Sequence, residues 1–378
     1  MLNHDNTKIM KDQKIGIVSW FYYANPGSAF QAYALQQYIN SIPCCNAEFI
    51  NILNSFIGML NAPILKYYAK KHGRWYLLIR FYLTLKAYSF CSFQRANIKK
   101  YPYMSILKRY VSNKDRKKIN QRYDWVILGS DQLWNFGLST SFNFDERRFL
   151  DFVSGPHKGA YAPSVGKEDW PEQYKERIKE LLSDFSFIGV REKQSVGIVQ
   201  PLVKVPVHWS LDPTFLMDKT EWAKVAKKTK HNGDYIFEYC IIKSPLLRSI
   251  TEKLSEMTGL PIIESHGDLC KHVPSAQRMP HQSPETWLGY LMNAKYVVTD
   301  SFHGCVFSIN INKEFFTVVT INGSRIYSIL ELFGLKDRVL MSVDDLDLSK
   351  AINWDNVNVR LEERRKESQD WLKSSLLG

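Results

Sequence analysis

The sequence predicts an α/β protein with two parallel-sheet domains in tandem. Three observations carry that reading. Short β-rich runs alternate with helical stretches twice over, with a break in the pattern near residues 205–220. Runs such as "YVVT" (296–299) are apolar without alternation, as expected of strands covered on both faces. The 378-residue chain is also too long for one typical core.

The elements follow in order. "KIGIVSW" reads as a strand, "FYYANPGS" as a turn, "AFQAYALQQYIN" as a helix with apolar residues at helical spacing, and "AEFINI" as a second strand. A basic, aromatic segment follows, helical from about Leu65 to Ala96. "WVILGSDQLWN" and "KGAYAPSVG" are each a strand and a loop, "PEQYKERIKELLSDF" is a helix, and "FIGVREKQSVGIV" is a strand and a helix. "VHWSLDPTFL" breaks the pattern and reads as a transition. The alternation resumes through "YIFEYCII", "SPLLRSITEKLSEMTG", "LPIIESHG", "PETWLGYLMNA", "YVVTD", "HGCVFSINI", "FFTVVTI" and "GSRIYSILELFG". A charged terminal helix packs through Leu361, Trp371, Leu372 and Leu376. The domains are expected at 1–212, carrying the basic segment 65–118, and at 213–345, with a helical tail at 346–378.

Composition narrows the class. With 45% hydrophobic and 23% charged residues the chain is globular, not disordered. The start, "MLNHDNTKIMKDQK", has no apolar core of a signal peptide. "WYLLIRFYLTL" is too short for a membrane span and is broken by Arg80. The six cysteines show neither CxxC nor zinc spacing, so reduced thiols in a cytoplasmic protein are expected. Net charge is +12, and it is concentrated: Lys66 to Lys118 holds fifteen Lys/Arg against Asp115 alone, a balance of +14 that leaves the rest at −2.

Four strand-to-helix loops are polar, small or glycine-bearing: "NPGS" (25–28), "GSDQLWN" (129–135), "APSVG" (162–166) and "DSFHG" (300–304). In open α/β sheets such loops form the ligand crevice, and helix starts favour anions. "DSFHG" is the sharpest, because it sets His303 between Ser301 and Gly304 at a helix start, with Phe302 turned to the core. Arg325, at the start of the next helix, and Arg191, in "IGVRE", offer forks for phosphate or carboxylate. Each could instead be a salt bridge, Arg191 with Glu192. "ESHGDLCKH" (264–272) matches no tetrahedral metal spacing and reads as a solvated loop, so no metal is expected. A P-loop, HExxH and GxSxG are absent from the sequence.

In this order N-P-G-S with its Q-A-Y-A-L-Q helix, V-I-L-G-S-D-Q-L-W-N, S-V-G, V-R-E-K-Q-S-V, L-D-P-T-F-L and Y-V-V-T-D-S-F-H-G-C-V-F-S-I resemble the polysaccharide pyruvyl transferase family, from about Ile15 to Arg338. The resemblance implies two Rossmann-like domains facing across a cleft, GT-B-like, with the acceptor on the first and the donor on the second. It implies transfer of pyruvate from phosphoenolpyruvate, a co-substrate and not a cofactor, to sugar hydroxyls as a cyclic ketal. His303 is then the acid that protonates the enol methylene and Asp131 the base for the attacking hydroxyl. Arg325, Arg191, Ser301, Gly304, Ser130, Gln132, Asn25, Gly27, Ser28, Gln31 and Ser164 are the expected substrate contacts. Members of the family resemble D-R-x-H where this chain has Asp300-Ser301-Phe302-His303, so another cation, Arg325 or Arg191, must replace that arginine. Asp300 reads as a turn cap.

The resemblance also implies acceptors built on a polyprenyl diphosphate. Lys70, Lys71, Arg74, Trp75 and Arg80 then suit an anionic membrane surface at the inner face of the cell membrane. No nucleic-acid motif accompanies them. Two other readings stand beside this one: a GT-B glycosyltransferase using a nucleotide sugar, and a non-catalytic membrane-docked assembly protein.

Overall fold

The computed structural model describes residues 11–21, 25–52, 88–101, 111–136, 144–166, 169–241, 244–266, 276–279, 283–319 and 323–378. Two fully parallel sheets organise them. The first has six strands, β1 (Gln13–Val18), β2 (Cys45–Phe49), β3 (Trp125–Leu128), β4 (His157–Tyr161), β5 (Phe185–Val190) and β6 (Val207–Trp209), in the order β2-β1-β3-β4-β5-β6. The second has five, β7 (Ile236–Cys240), β8 (Ile262–His266), β9 (Ala276–Arg278), β10 (Tyr296–Thr299) and β11 (Glu314–Thr317), in the order β11-β10-β7-β8-β9.

Their registers follow from burial. β3 is buried along its whole length and β10 from its second residue on, so neither presents a polar face to water. Helices cover both sides: α1 (Pro26–Ser41), α2 (Asn113–Arg122), α3 (Glu172–Leu182) and α4 (Lys193–Val199) in the first half. In the second half they are α5 (Lys219–Val225), α6 (Pro245–Thr258), α7 (Pro284–Asn293), α8 (Phe302–Asn310), α9 (Ser324–Phe333) and α10 (Trp354–Leu377). Further helical turns run over 88–97.

Two features depart from the sequence reading. Val207–Trp209, expected to be a transition, is an edge strand of the first sheet. Its three half-buried residues carry no periodic signal. The first residues of "ESHGDLCKH" are not solvated either: Glu264 is buried in β8 and shares Arg248 with Glu238 on β7. A buried carboxylate pair needs a shared cation, and the α6 arginine supplies it.

α1 joins the cores of the two sheets, with Ala32, Leu35 and Ile39 packed in the first and Phe30 in the second. Phe30 of α1 is fully buried, with ring centroids 5.5 Å from Phe93, 5.1 Å from Trp222, 6.3 Å from Trp287 and 5.4 Å from Phe307. α10 straps both halves. Arg365 donates to the Phe215 carbonyl (2.6 Å) and to Asn310 Oδ1 (2.7 Å), while Leu372 and Leu376 pack with the core of the first sheet.

Candidate active site

The chain leaves β1 towards β2 on one flank and β3 towards β4 on the other, so β1 and β3 flank a topological switch point. β7 and β10 flank the equivalent point in the second sheet. Crevices open at the carboxyl ends of such strands. "NPGS" follows β1, "GSDQLWN" follows β3 and "DSFHG" follows β10.

On the first sheet, Asn25 caps α1 by accepting the Gly27 N–H at 2.8 Å. Gln31 Nε2 donates to the Trp20 carbonyl (2.9 Å) and the Ser28 carbonyl (3.1 Å), tying the start of α1 to the end of β1. Ser28 Oγ donates to Asp131 Oδ2 at 2.7 Å, and the Gln132 N–H donates to Oδ1 at 2.8 Å. Asp131 has φ of 79°, a left-handed conformation that an acid adopts only where its surroundings hold it. Its carbonyl accepts the Ser164 N–H at 2.8 Å, joining "APSVG" to the same floor. Buried Trp134 anchors the loop from behind, donating from Nε1 to the Arg148 carbonyl at 2.9 Å. Ser130 Oγ, Ser164 Oγ and Gln31 Oε1 are buried there without hydrogen-bond partners.

On the second sheet, Asp300 accepts the Ile241 N–H at 2.7 Å and fastens the end of β7. Ser301 caps α8, its Oγ accepting the Gly304 N–H at 3.3 Å. A Cβ on Gly304 would stand 2.3 Å from Thr299 Oγ1, so this glycine lets the helix sit on its strand. The visible roles of Asn25, Gln31, Ser301 and Gly304, expected as substrate contacts, are thus capping and packing.

His303 is buried at the first turn of α8, and its ring packs on Gly27. A Cβ at position 27 would lie 2.1 Å from Nδ1 and 2.3 Å from Cγ, near-equal distances that place it over the ring face. Nε2 lies 3.6 Å from Asp212 Oδ2 and has no hydrogen-bond partner. Asp212 Oδ2 also accepts Arg191 Nη1 at 2.9 Å. Its Oδ1 accepts the Thr214 N–H (3.0 Å) and hydroxyl (2.7 Å). Burial alone would raise this carboxyl, but His303, Arg191 and the Thr214 N–H together hold it well below the usual carboxylate range.

Arg191 Nε donates to Glu192 at 3.2 Å, so Glu192 and Asp212 both pair with this guanidinium, yet Nη2 is buried without a partner. Burial lowers its pKa, but Glu192, Asp212 and Asp131 outweigh that and raise it. Arg325 stands in the first turn of α9. With the Gln132 amide oxygen facing it, Nη1 and Nη2 donate at 3.2 and 3.3 Å across the cleft. Arg325 Nε is buried and unpartnered. Burial, then the like charge of Arg191, lowers the Arg325 pKa to about 10. Phe302 takes both guanidinium groups near its ring, Arg191 at 4.5 Å and Arg325 at 5.6 Å from the centroid.

The structure therefore brings Gly27, Ser28, Ser130, Asp131, Gln132, Ser164, Arg191, His303 and Arg325 into one cluster built from both sheets. Lys70, Lys71, Arg74, Trp75 and Arg80 lie outside the described residues. Asp212 and Phe302 join the cluster without having been expected there. Asp212 lies in the stretch read only as a transition, and no feature of the sequence there assigns its side chain a partner.

A model of the polysaccharide pyruvyl transferase family matches residues 25–322, which contain the whole cluster except Arg325. The chain belongs to that family. This family member has no match among curated proteins. In fold it is similar to solved structures that include UDP-GlcNAc 2-epimerases. UDP-GlcNAc 2-epimerase of Methanocaldococcus jannaschii is 9% identical, with 92% of each chain covered and a TM-score of 0.52. The MnaA–UDP structure from S. aureus is 10% identical, covering 93% of this chain and 87% of that one, at a TM-score of 0.49. At such identities the likeness is one of fold, and the two parallel-sheet domains of this transferase are GT-B-like.

Proposed function

We propose that the protein transfers a pyruvyl group from phosphoenolpyruvate to two hydroxyls of one sugar, closing a cyclic ketal and releasing phosphate. One observation carries the reading: Arg191 Nη2 and Arg325 Nε are buried and unpartnered on two guanidinium groups that both pack on Phe302, the neighbour of His303. Buried donors of this kind call for an anion, and a donor bearing both phosphate and carboxylate supplies two. The pair replaces the arginine that Ser301 displaces.

The steps assign the remaining groups. Protonated His303 delivers its proton to the enol methylene, forming the methyl group and leaving C2 electrophilic. The first sugar hydroxyl attacks C2 and gives its proton to Asp131, which Ser28 and the Gln132 N–H hold in place. Phosphate leaves with the C2–O bond pair while Arg191 and Arg325 neutralise its charge. The second hydroxyl then attacks C2, and its proton restores His303, while the proton on Asp131 leaves with phosphate.

The acceptor in this reading is a glycan on polyprenyl diphosphate. The +14 balance between Lys66 and Lys118, interleaved with Trp75, Tyr76, Phe81 and Tyr82, supports an anionic lipid surface as its meeting place. Among the described residues no helix is long and apolar enough to cross a membrane.

Phosphate release from phosphoenolpyruvate tests the reaction, with free and lipid-linked glycan acceptors. Acceptor-dependent release by the wild type, lost in His303→Ala and Arg325→Ala, is expected. Turnover of a nucleotide sugar with no phosphate release would replace this reading with a glycosyltransferase.

A further inference from the structure

We propose that Asp212 is the positioning residue of His303: its carboxylate accepts the Nε2–H and leaves Nδ1 as the nitrogen that exchanges protons with the substrate. The assignment deepens the proposed function and rests on it for the identity of the substrate.

Four observations support it. Nε2 is sealed from solvent without a hydrogen bond, a buried polar atom that calls for the carboxylate beside it. Asp212 Oδ2 faces Nε2 at 3.6 Å, longer than a hydrogen bond, and catalytic contacts of this kind tighten when substrate binds. The carboxylate is aimed: two Thr214 donors hold Oδ1, and Arg191 Nη1 holds Oδ2 from the opposite flank. Finally, Gly27 over the ring face restrains the imidazole without blocking Nδ1 in the ring plane.

The consequence is a coupled device. Neutral His303 carries its proton on Nε2, so Nδ1 is free to accept. Charged His303 presents Nδ1–H to the substrate, while Asp212 stabilises the imidazolium from behind. Arg191 shares the same carboxylate oxygen, so filling its free Nη2 with the donor's anion bears directly on the Asp212–His303 contact. Asp212 follows the last strand of the first sheet and His303 follows β10, so their alignment reports how the two sheets are set against each other.

The test starts with the wild-type full chain. Long-range proton–nitrogen correlation of 15N-histidine-labelled protein reads each neutral imidazole's tautomer, with the His303 signals assigned by their loss in His303→Gln. The Nε2–H tautomer is expected, and Asp212→Asn should lose that preference. In turnover Thr214→Val, which touches neither Arg191 nor His303, should lower kcat several-fold with KM for phosphoenolpyruvate unchanged. Asp212→Asn should lower kcat about 10²-fold or more, with partial rescue in Asp212→Glu. A wild-type Nδ1–H tautomer overturns the proposal even if Asp212→Asn fails to fold. So does an Asp212→Asn enzyme with tautomer and rate unchanged. The tautomer is read without substrate, so absent phosphate release beside an Nε2–H tautomer sinks the donor assignment and leaves the Asp212 role standing.

Discussion

A single missing Cβ sets the distance between the two halves of the site. Any side chain at position 27 would lie 2.1 Å from His303 Nδ1, so ring or helix must move to admit one. Gly27→Ala is therefore expected to lower kcat/KM by about 10²-fold, the usual cost of a catalytic group displaced by an ångström. Its melting temperature should also fall, because relieving the contact displaces a buried ring or the start of α1. Wild-type kinetics in Gly27→Ala would show that the contact does not position His303. Asp212 predicts a pH effect with a definite sign. Its folded pKa lies below the unfolded value of about 3.9, so its contribution is present above that pH and fades as the pH falls through it. Removing it also leaves Arg191 short of a buried partner. Asp212→Asn should lose about 3–5 kcal/mol at pH 7. The gap to wild type should narrow by roughly 1 kcal/mol per pH unit below about pH 4. Denaturant titrations at pH 7 and pH 3 that give the same gap would refute the linkage. His303 was legible in the sequence because a glycine and a helix start surround it. Asp212 was not, because only the fold shows that the acid before Pro213 turns inward to a guanidinium and an imidazole.

Among the elements, α1 is the one whose role exceeds its sequence signal. Its helical spacing was readable, but it is buried on nearly every side, so no polar face advertised that both sheets close on it. Phe30 sits among Phe93, Trp222, Trp287 and Phe307, and the N-terminus of the same helix carries Gly27 and Ser28 to His303 and Asp131. Stability and geometry thus depend on one packing. Phe30→Ala should cost about 3–5 kcal/mol by denaturant unfolding, and Phe30→Leu markedly less. Both variants should lose more activity than their folded fraction explains, because the start of α1 shifts with its middle. An active site that survives Phe30→Ala at full specific activity would mean that the loop, not the helix, holds Gly27. β6 and β9 escaped the sequence reading for a simpler reason. Three residues are too few to show a period, and edge position relaxes the demand for apolar side chains.

At the scale of the molecule, two β/α alternations were enough to announce two parallel sheets, but strand order was not readable from either. The order matters most, since it places β1 beside β3 and β7 beside β10 and so turns four separate loops into one cleft. Charge, by contrast, was legible at this scale, with the whole basic excess between Lys66 and Lys118. In the proposed function that segment brings the cleft to lipid-linked acceptor, and each cation near an anionic surface is worth about 1 kcal/mol. Replacing Lys70, Lys71 and Arg74 by glutamate should then weaken binding to vesicles containing anionic phospholipid by roughly 10²-fold or more. Raised salt should weaken wild-type binding in the same direction. Turnover of a free oligosaccharide acceptor should survive the triple substitution, while turnover of the lipid-linked acceptor falls, because only the second requires the surface. Equal wild-type binding to neutral and anionic vesicles would reject the electrostatic role. A parallel loss with both acceptors would place the basic segment in the catalytic half itself.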